Sequence, residues 1–264
     1  MEILQVIWLA IIQGLTEFLP VSSSAHLILP SQVLGWPDQG LAFDVAVHLG
    51  SLVAVMLYFR HELRKLASAW LRSLNGLQTP ESKLAWYLMI GTVPAGISGL
   101  MLGGFIEPHL RSMGVIASTT ILFGLLLGWA DLSSRGHKTI DQFTWKSALL
   151  VGVAQGLALI PGTSRSGVTI TAALMLGFDR LSAARFSFLL SVPVIALSGG
   201  YKGIELLGQT SVPWLQMVLG SVVSGITAYL CIHTFLRIVE RVGMIPFVLY
   251  RMLLGGILIY LMIG

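Results

Sequence analysis

Long apolar runs alternate with short polar connections along this chain, and six of the runs are as long as a membrane-spanning helix. Crossing a bilayer takes about 20 consecutive apolar residues in helical form. The pattern therefore predicts six spans, at residues 40–59, 84–104, 114–132, 183–203, 212–236 and 245–263. The runs are continuous and lack the alternation of a membrane strand. This predicts an all-α polytopic membrane protein rather than a β-barrel.

Two further apolar stretches do not fit the template of a single span. Residues 2–34 and 146–178 are each interrupted in the middle by proline, glycine and serine. Their halves are only about 12–15 residues long, too short to cross a bilayer. Such pairs of short helices are typical of re-entrant hairpins, whose non-helical backbone is tolerated where protein or a wet cavity surrounds it.

Each half of the chain then contains one re-entrant helical hairpin followed by three transmembrane helices. Because three is an odd number, the second half must be inverted relative to the first. Inverted repeats of this kind occur in many transporters, with the binding site at the interface between the repeats. We predict a single integral membrane domain at 1–264, with inverted repeats at about 1–132 and 146–264.

Composition agrees with this class of protein. Apolar residues make up 55% of the chain and charged residues 11%, whereas a soluble domain carries about 25% charged residues. The single cysteine, Cys231, excludes an intrachain disulfide framework. The net charge of +4 is explained by cations near the ends of the spans, so it does not indicate a nucleic-acid partner.

The cations also orient the predicted topology. Only Arg111 and Lys202 fall on one side of it, and Arg165 and Arg251 lie within membrane segments. The positive-inside rule makes the cation-rich side cytoplasmic, so both termini are predicted to be periplasmic. The twelve cations on the cytoplasmic side are Arg60, Arg64, Lys65, Arg72, Lys83, Arg135, Lys138, Lys146, Arg180, Arg185, Arg237 and Arg241.

The first interrupted stretch carries candidate catalytic side chains in the segment QGLTEFLPVSSSAH, residues 13–26. Gln13 and Glu17 are four residues apart and would share one face of a helix. A carboxylate at membrane depth is costly and generally marks a functional site. The alternatives are an interfacial glutamate at a frayed helix end, or a glutamate that is hydrogen-bonded to nearby hydroxyls. His26 follows Ser23 by three residues, which favours a Ser–His pair for proton transfer over a merely packed histidine.

The second interrupted stretch repeats this pattern 142 positions later, as QGLALIPGTSRSGVT at residues 155–169. Arg165 offers a rigid fork for phosphate oxygens, and the helix that follows presents its N-terminal end to an anion. We predict that the two segments meet and form one phosphate-handling site. The alternative is an Arg165–Glu17 ion pair that serves structure alone. The candidate phosphate-binding residues are Ser22, Ser24, Gly162, Ser164, Ser166, Gly167 and Thr169.

Three other ionisable residues are less informative. Asp44 and His48 lie near the outer end of the first span, where they could line an entrance but are more simply explained as interface anchors. Arg251 lies inside the last span, and its position fits snorkelling to the interface and binding of a lipid phosphate equally well.

These motifs resemble those of the bacterial undecaprenyl-diphosphate phosphatases of the BacA type. The segment at 13–26 is similar to that family's [E/Q]-x-x-x-E and P-V-S-S-x-x-H region, and PGTSRSGVT is similar to its P-G-x-S-R-S-x-x-T motif. The runs FSFLLSVP at 186–193 and IPFVLYR at 245–251 are also similar. The resemblance covers nearly the whole chain in order.

The resemblance implies an inner-membrane enzyme that hydrolyses undecaprenyl diphosphate, recycles the lipid carrier for peptidoglycan synthesis and faces the periplasm. It also implies bacitracin resistance, since bacitracin competes for the substrate, and a divalent cation, Mg²⁺ or Ca²⁺. Membrane lipids are further expected partners, and a homodimer is an open alternative to a monomer. The implied catalytic residues are Glu17, Ser23, His26 and Arg165, and the implied metal ligands are Glu17 and Gln13, where many members have Glu in place of Gln13.

The expected mechanism places the diphosphate between the two hairpins, on Arg165 and the nearby main-chain amides. Ser23 would attack with His26 moving protons, or a metal-activated water would attack instead. The rival class is a transporter or flippase for a lipid phosphate or another anion, because inverted repeats are a transport architecture.

Overall fold

The structure is a computed structural model that describes residues 1–134, 136–206 and 213–263. Arg135, one of the predicted cytoplasmic cations, and residue 212, the predicted start of the fifth span, lie outside the described residues. Within them the chain forms eleven α-helices, and its one strand-like pairing is a bridge between Lys138 and Phe178. The predicted all-α class is confirmed.

Six helices of the described chain are long and apolar enough to cross a membrane, and each overlaps a predicted span. Helix ends differ from the prediction where polar residues continue the helix beyond its apolar part, as at residues 237–242. These six helices are α3 (Gly40–Tyr58), α5 (Pro80–His109), α6 (Met113–Ser133), α9 (Arg180–Leu206), α10 (Trp214–Val242) and α11 (Ile245–Ile263).

Each interrupted stretch folds into two short helices joined by a turn. The first contains α1 (Ile3–Thr16) and α2 (Ser23–Val33). The second contains α7 (Trp145–Gly156), a short 3₁₀ turn, and α8 (Arg165–Met175). Proline and glycine interrupt the helices where the sequence predicted a break, because they disfavour a continuous α-helix at those positions.

One helix was not predicted from hydropathy. Helix α4 (Arg60–Ser73) follows α3 and has one apolar face on a largely charged background, too polar for a span. Leu66 is buried on that face, and Glu62 pairs with Arg185 of α9 at 3.0 Å. A window that averages hydropathy over a whole span cannot detect a short amphipathic helix of this kind.

Small residues allow the long helices to approach closely. A Cβ atom at Gly50 of α3 would lie 2.1 Å from the carbonyl oxygen of Ser221 in α10, and one at Gly152 of α7 would lie 2.4 Å from that of Gly91 in α5. Helix interfaces in membranes typically use small residues in this way. The packing brings α1 against α10 and α7 against α5, and α6 packs against α11.

Candidate active site

Glu17 is the centre of the polar cluster. It follows α1 directly, is only 7% exposed, and accepts hydrogen bonds from both interrupted stretches. Gln13 Nε2 and Ser23 Oγ donate to Oε2 at 2.9 and 2.7 Å. Arg165 Nη2 donates to Oε1 at 3.0 Å. A carboxylate in apolar surroundings needs such partners to remain charged, so the two stretches must meet for the cluster to exist.

Arg165 is the first residue of α8, and the protein holds its guanidinium on three sides. Besides its bond to Glu17, it donates from Nη1 to the main-chain oxygen of Ser187 at 3.3 Å. Its Cζ lies 5.9 Å from the centroid of the Phe18 ring. The planar fork is therefore fixed in orientation, with its side chain 13% exposed.

The turns that precede α2 and α8 have the same unusual backbone. Ser22 and Ser164 have φ values of 75° and 71°, and they are the described non-glycine residues with positive φ. Each is the N-cap of its helix and accepts a hydrogen bond from the amide three residues later, at Ala25 and at Gly167. Backbone strain of this kind persists only where the surrounding structure fixes it, and it occurs often at functional sites.

The remaining hydroxyls of the turns bind protein groups. Ser24 and Ser166 each lie near the hydroxyl of their own N-cap serine, at 3.2 and 3.3 Å. Ser166 also donates to the main-chain oxygen of Leu19 at 2.8 Å and so connects the two stretches. Thr169 is fully buried, with its hydroxyl 2.7 Å from that of Ser187. Of the candidate phosphate-binding residues, Ser24 is exposed, whereas Ser166 and Thr169 are buried behind the turn.

Comparison with known proteins identifies the family to which the chain belongs. The family model described as Bacitracin resistance protein BacA matches residues 6–257. The chain belongs to the BacA family. It is 58% identical over 256 residues to the undecaprenyl-diphosphatase of Saccharophagus degradans, covering 97% of each chain. It is 57% identical over 264 residues to undecaprenyl-diphosphatase 1 of Pseudoalteromonas translucida, covering 99% of each. The resemblance inferred from the motifs is thereby confirmed.

His26 of this BacA-family chain has partners other than the expected one. Its Nδ1 lies 2.7 Å from the main-chain oxygen of Ser22, and its Nε2 lies 2.5 Å from the hydroxyl of Tyr250 in α11. The His26 and Tyr250 rings are also stacked, 5.6 Å apart. Ser23 donates to Glu17. The expected Ser23–His26 pair is therefore not formed in the described structure, because each side chain has a nearer partner.

His48 lies beside Glu17 in this BacA-family protein, a contact that neither of its interpretations, an entrance residue or an interface anchor, predicted. Its Nε2 is 3.8 Å from Glu17 Oε2, and its Nδ1 lies 2.7 Å from the main-chain oxygen of Asp44, one turn earlier in α3. Position in a span gives depth and face only approximately. Proximity to Glu17 depends on how α1 packs beside α3, which the spacing of residues does not reveal.

Arg251 neither snorkels nor reaches a lipid, so both interpretations of this residue are wrong. Its side chain is fully buried, and its guanidinium donates only to main-chain oxygens in the described structure. In the sequence, Arg251 was conspicuous as an arginine in the middle of an apolar helix. A charge is energetically costly there and is usually retained for a function. Carbonyl partners are present in every segment, so the sequence alone could not identify which ones bind it.

Gln13 bears on whether a divalent cation fits this BacA-family site. Its Oε1 is buried and has no hydrogen-bond partner within the described structure, and its Nε2 is bonded to Glu17. Among all the residues that the structure describes, no group of three or more His, Cys, Asp or Glu side chains could bind a metal ion by itself. An amide oxygen beside one carboxylate fits a Mg²⁺ or Ca²⁺ that shares its coordination with phosphate oxygens of a ligand.

Proposed function

We propose that this chain hydrolyses undecaprenyl diphosphate to undecaprenyl phosphate and inorganic phosphate, which recycles the lipid carrier for peptidoglycan synthesis. The observation that carries the proposal is the contact of Ser23, Glu17 and Arg165 inside a membrane protein. The names of its curated relatives, undecaprenyl-diphosphatases at 54–58% identity over nearly the full chain, support it. Those names do not favour the transporter alternative.

Each part of the cluster has a role in this reaction. Arg165 binds oxygens of the diphosphate and offsets the charge that develops in the transition state. Glu17, which the phosphate displaces from the guanidinium, accepts the proton of Ser23 across the existing 2.7 Å hydrogen bond. The main-chain amides at the N-terminal ends of α2 and α8 stabilise phosphate oxygens on either side.

The proposed chemical step breaks the bridging bond of the diphosphate. Ser23 Oγ attacks the terminal phosphorus, the lipid phosphate leaves with the bridging oxygen, and water then releases phosphate from Ser23. The alternative is direct attack by water, with Glu17 as its base. A divalent cation held by Glu17 and Gln13 would neutralise charge on the diphosphate when bound. His26 and Tyr250 border the turn that carries Ser23.

The proposed membrane arrangement keeps a single domain with inverted repeats, each containing a re-entrant hairpin. Two features support it. The N-cap serines with positive φ, Ser22 and Ser164, recur at corresponding positions of the repeats. The helix contacts of the two repeats also correspond. In each repeat the first short helix packs on the second span of the other repeat, α1 on α10 and α7 on α5. The lipid tail would lie among the spans.

The proposed location is the bacterial inner membrane, with the site and both termini toward the periplasm. Ion pairs support a single cytoplasmic side, because Glu62–Arg185 joins α4 to α9 and Asp131–Arg180 joins α6 to the start of α9. These contacts gather the cation-rich ends of the helices.

The test is phosphate release from undecaprenyl diphosphate and from farnesyl diphosphate by the purified protein. We expect Arg165→Ala and Glu17→Gln to lower kcat/KM by about 10²- to 10³-fold, the usual effect of removing a group that stabilises transition-state charge. Arg185→Ala is the control and should retain activity, because it removes the ion pair with Glu62 but none of the hydrogen bonds of Glu17 or Arg165. Near-wild-type turnover of the first two variants would refute the site.

The same assay distinguishes the two nucleophiles. Loss of turnover in Ser23→Ala supports attack by Ser23, whereas retained turnover assigns the attack to water. Movement of labelled lipid in liposomes without phosphate release would favour the transporter class.

A further inference from the structure

Arg251 connects parts of the chain that are distant in sequence. It lies in α11 and donates six hydrogen bonds, of 2.9 to 3.3 Å, to five main-chain oxygens. Two of its acceptors belong to α6, one to the turn before α2, and two to the turn before α8. The five acceptors are the carbonyl oxygens of Pro20, Thr119, Thr120, Gly162 and Thr163.

The acceptors in the two turns occupy corresponding positions. Pro20 lies two residues before the N-cap Ser22, and Gly162 lies two residues before the N-cap Ser164. One guanidinium therefore holds the same point of both strained turns. The surroundings fit it closely: a Cβ atom at Gly167 would lie 3.2 Å from Arg251 Nη1, and one at Gly124 would lie 3.1 Å from Arg251 Cβ.

The partners of Arg251 distinguish it from Arg180, which also pairs with a buried group. Arg180 binds both carboxylate oxygens of Asp131, at 2.6 and 3.0 Å, whereas all the hydrogen bonds of Arg251 in the described residues are to carbonyl oxygens. An arginine that only stabilised helix packing could use one carboxylate. Five carbonyl acceptors need the planar fork, because a lysine ammonium is a compact point donor.

We propose that Arg251 is a positioning residue whose guanidinium fixes the two turns relative to each other and thereby sets the placement of Ser23 against Arg165. This inference rests on the proposed phosphatase function. Ser23 follows one of the turns directly and Arg165 follows the other. A change in the separation of the turns moves the attacking group relative to the bound phosphate without removing either of them.

The kinetic test uses Arg251→Lys and Arg251→Met. Each turn keeps its own phosphate-binding groups, so we expect KM for farnesyl diphosphate to change less than about threefold. We expect kcat to fall by about 10²-fold, since a misplacement of about 1 Å can have that effect. A variant Arg251→Lys with wild-type kcat would overturn the proposal, because charge without the fork would then suffice. A rise in KM at unchanged kcat would also overturn it and assign Arg251 to substrate binding.

Amide hydrogen exchange provides a readout that does not depend on activity. In Arg251→Lys, we expect faster exchange in residues 20–26 and 162–168 together, with α4 unchanged. Arg180→Gln is the control, since it removes the ion pair with the buried Asp131, and the hydrogen bonds of that pair reach neither turn. It should lower thermal stability but leave kcat and exchange at the turns unchanged. Unchanged exchange at both turns in Arg251→Lys would refute the positioning role. If the wild-type protein released no phosphate, the proposed function would fail while this measurement still tested Arg251.

Discussion

At the scale of single residues, the pair His26–Tyr250 gives the next prediction. The hydrogen bond of His26 Nδ1 to the Ser22 main-chain oxygen assigns the ring proton of the neutral form to Nδ1, so Nε2 accepts from Tyr250. Tyr250→Phe keeps the stacked ring and removes only this donor. We expect kcat to fall about fivefold, the equivalent of one neutral hydrogen bond of roughly 1 kcal/mol.

The matched control for that change is Tyr260→Phe. Tyr260 lies on the same helix and is 75% exposed, so its hydroxyl should be dispensable. Phosphate release under saturating substrate measures both variants. A loss of more than about 100-fold in Tyr250→Phe would contradict a purely orienting role and indicate direct contact with the substrate.

The sequence predicted the charged residues, which are energetically costly to bury in an apolar segment. It did not predict contacts that depend on how the helices pack. Glu17 and Arg165 were found because an ion inside a membrane protein needs a partner. A hydrogen bond between Glu17 and nearby hydroxyls was only an alternative, and Ser23 was not singled out as its donor. A Ser–His pair was expected from spacing alone, but the turn at Ser22 directs the Ser23 hydroxyl to Glu17. The contact of His48 with Glu17 was not predicted, because the two residues belong to different segments of the chain.

At the scale of secondary-structure elements, the strained cap of α8 makes a prediction about stability. Ser164 has a φ of 71°, and its hydroxyl caps the helix. Ser164→Gly loses the cap but removes the strain, whereas Ser164→Ala loses the cap and keeps the strain. We expect the glycine variant to be more stable than the alanine variant by about 1 kcal/mol, measured by thermal unfolding in detergent.

Ser68 provides the control for that comparison, because it is exposed within α4 and has helical neighbours on both sides. There the order should reverse, with alanine more stable than glycine by about 1 kcal/mol. Equal stabilities of the two Ser164 variants would show that the positive φ is not what constrains this position.

Hydropathy was sufficient to predict all six long helices and both breaks, because apolar length and helix-breaking residues are local properties. It did not predict α4, whose stability depends on Leu66 packing inward and on the Glu62–Arg185 pair. Nor did it predict the positive φ at Ser22 and Ser164, because serine rarely adopts that conformation.

At the scale of the whole molecule, the proposed orientation can be measured by chemical labelling. Ser68 and Glu2 are exposed and are predicted to lie on opposite sides of the membrane. We expect a membrane-impermeant maleimide to label Ser68→Cys only in inverted vesicles, and Glu2→Cys only from the periplasmic side. The thiol of Cys231 is buried and donates a hydrogen bond to the main-chain oxygen of Leu15. The wild-type protein should therefore remain unlabelled. Labelling in the reverse order would refute the orientation.

The ion pair between Glu17 and Arg165 has a consequence for which anions bind at the site and for how the product is released. If Arg165 binds phosphate as proposed, a carboxylate of the protein already occupies that guanidinium in the absence of substrate. In the proposed mechanism, chloride or orthophosphate would have to displace Glu17 and would make few contacts in exchange, whereas a diphosphate that reaches both helix ends would make many. The same exchange of anions runs in reverse after hydrolysis. Under the proposed mechanism, Glu17 returns to the guanidinium as orthophosphate leaves, so the carboxylate of the protein competes with the product and limits its retention.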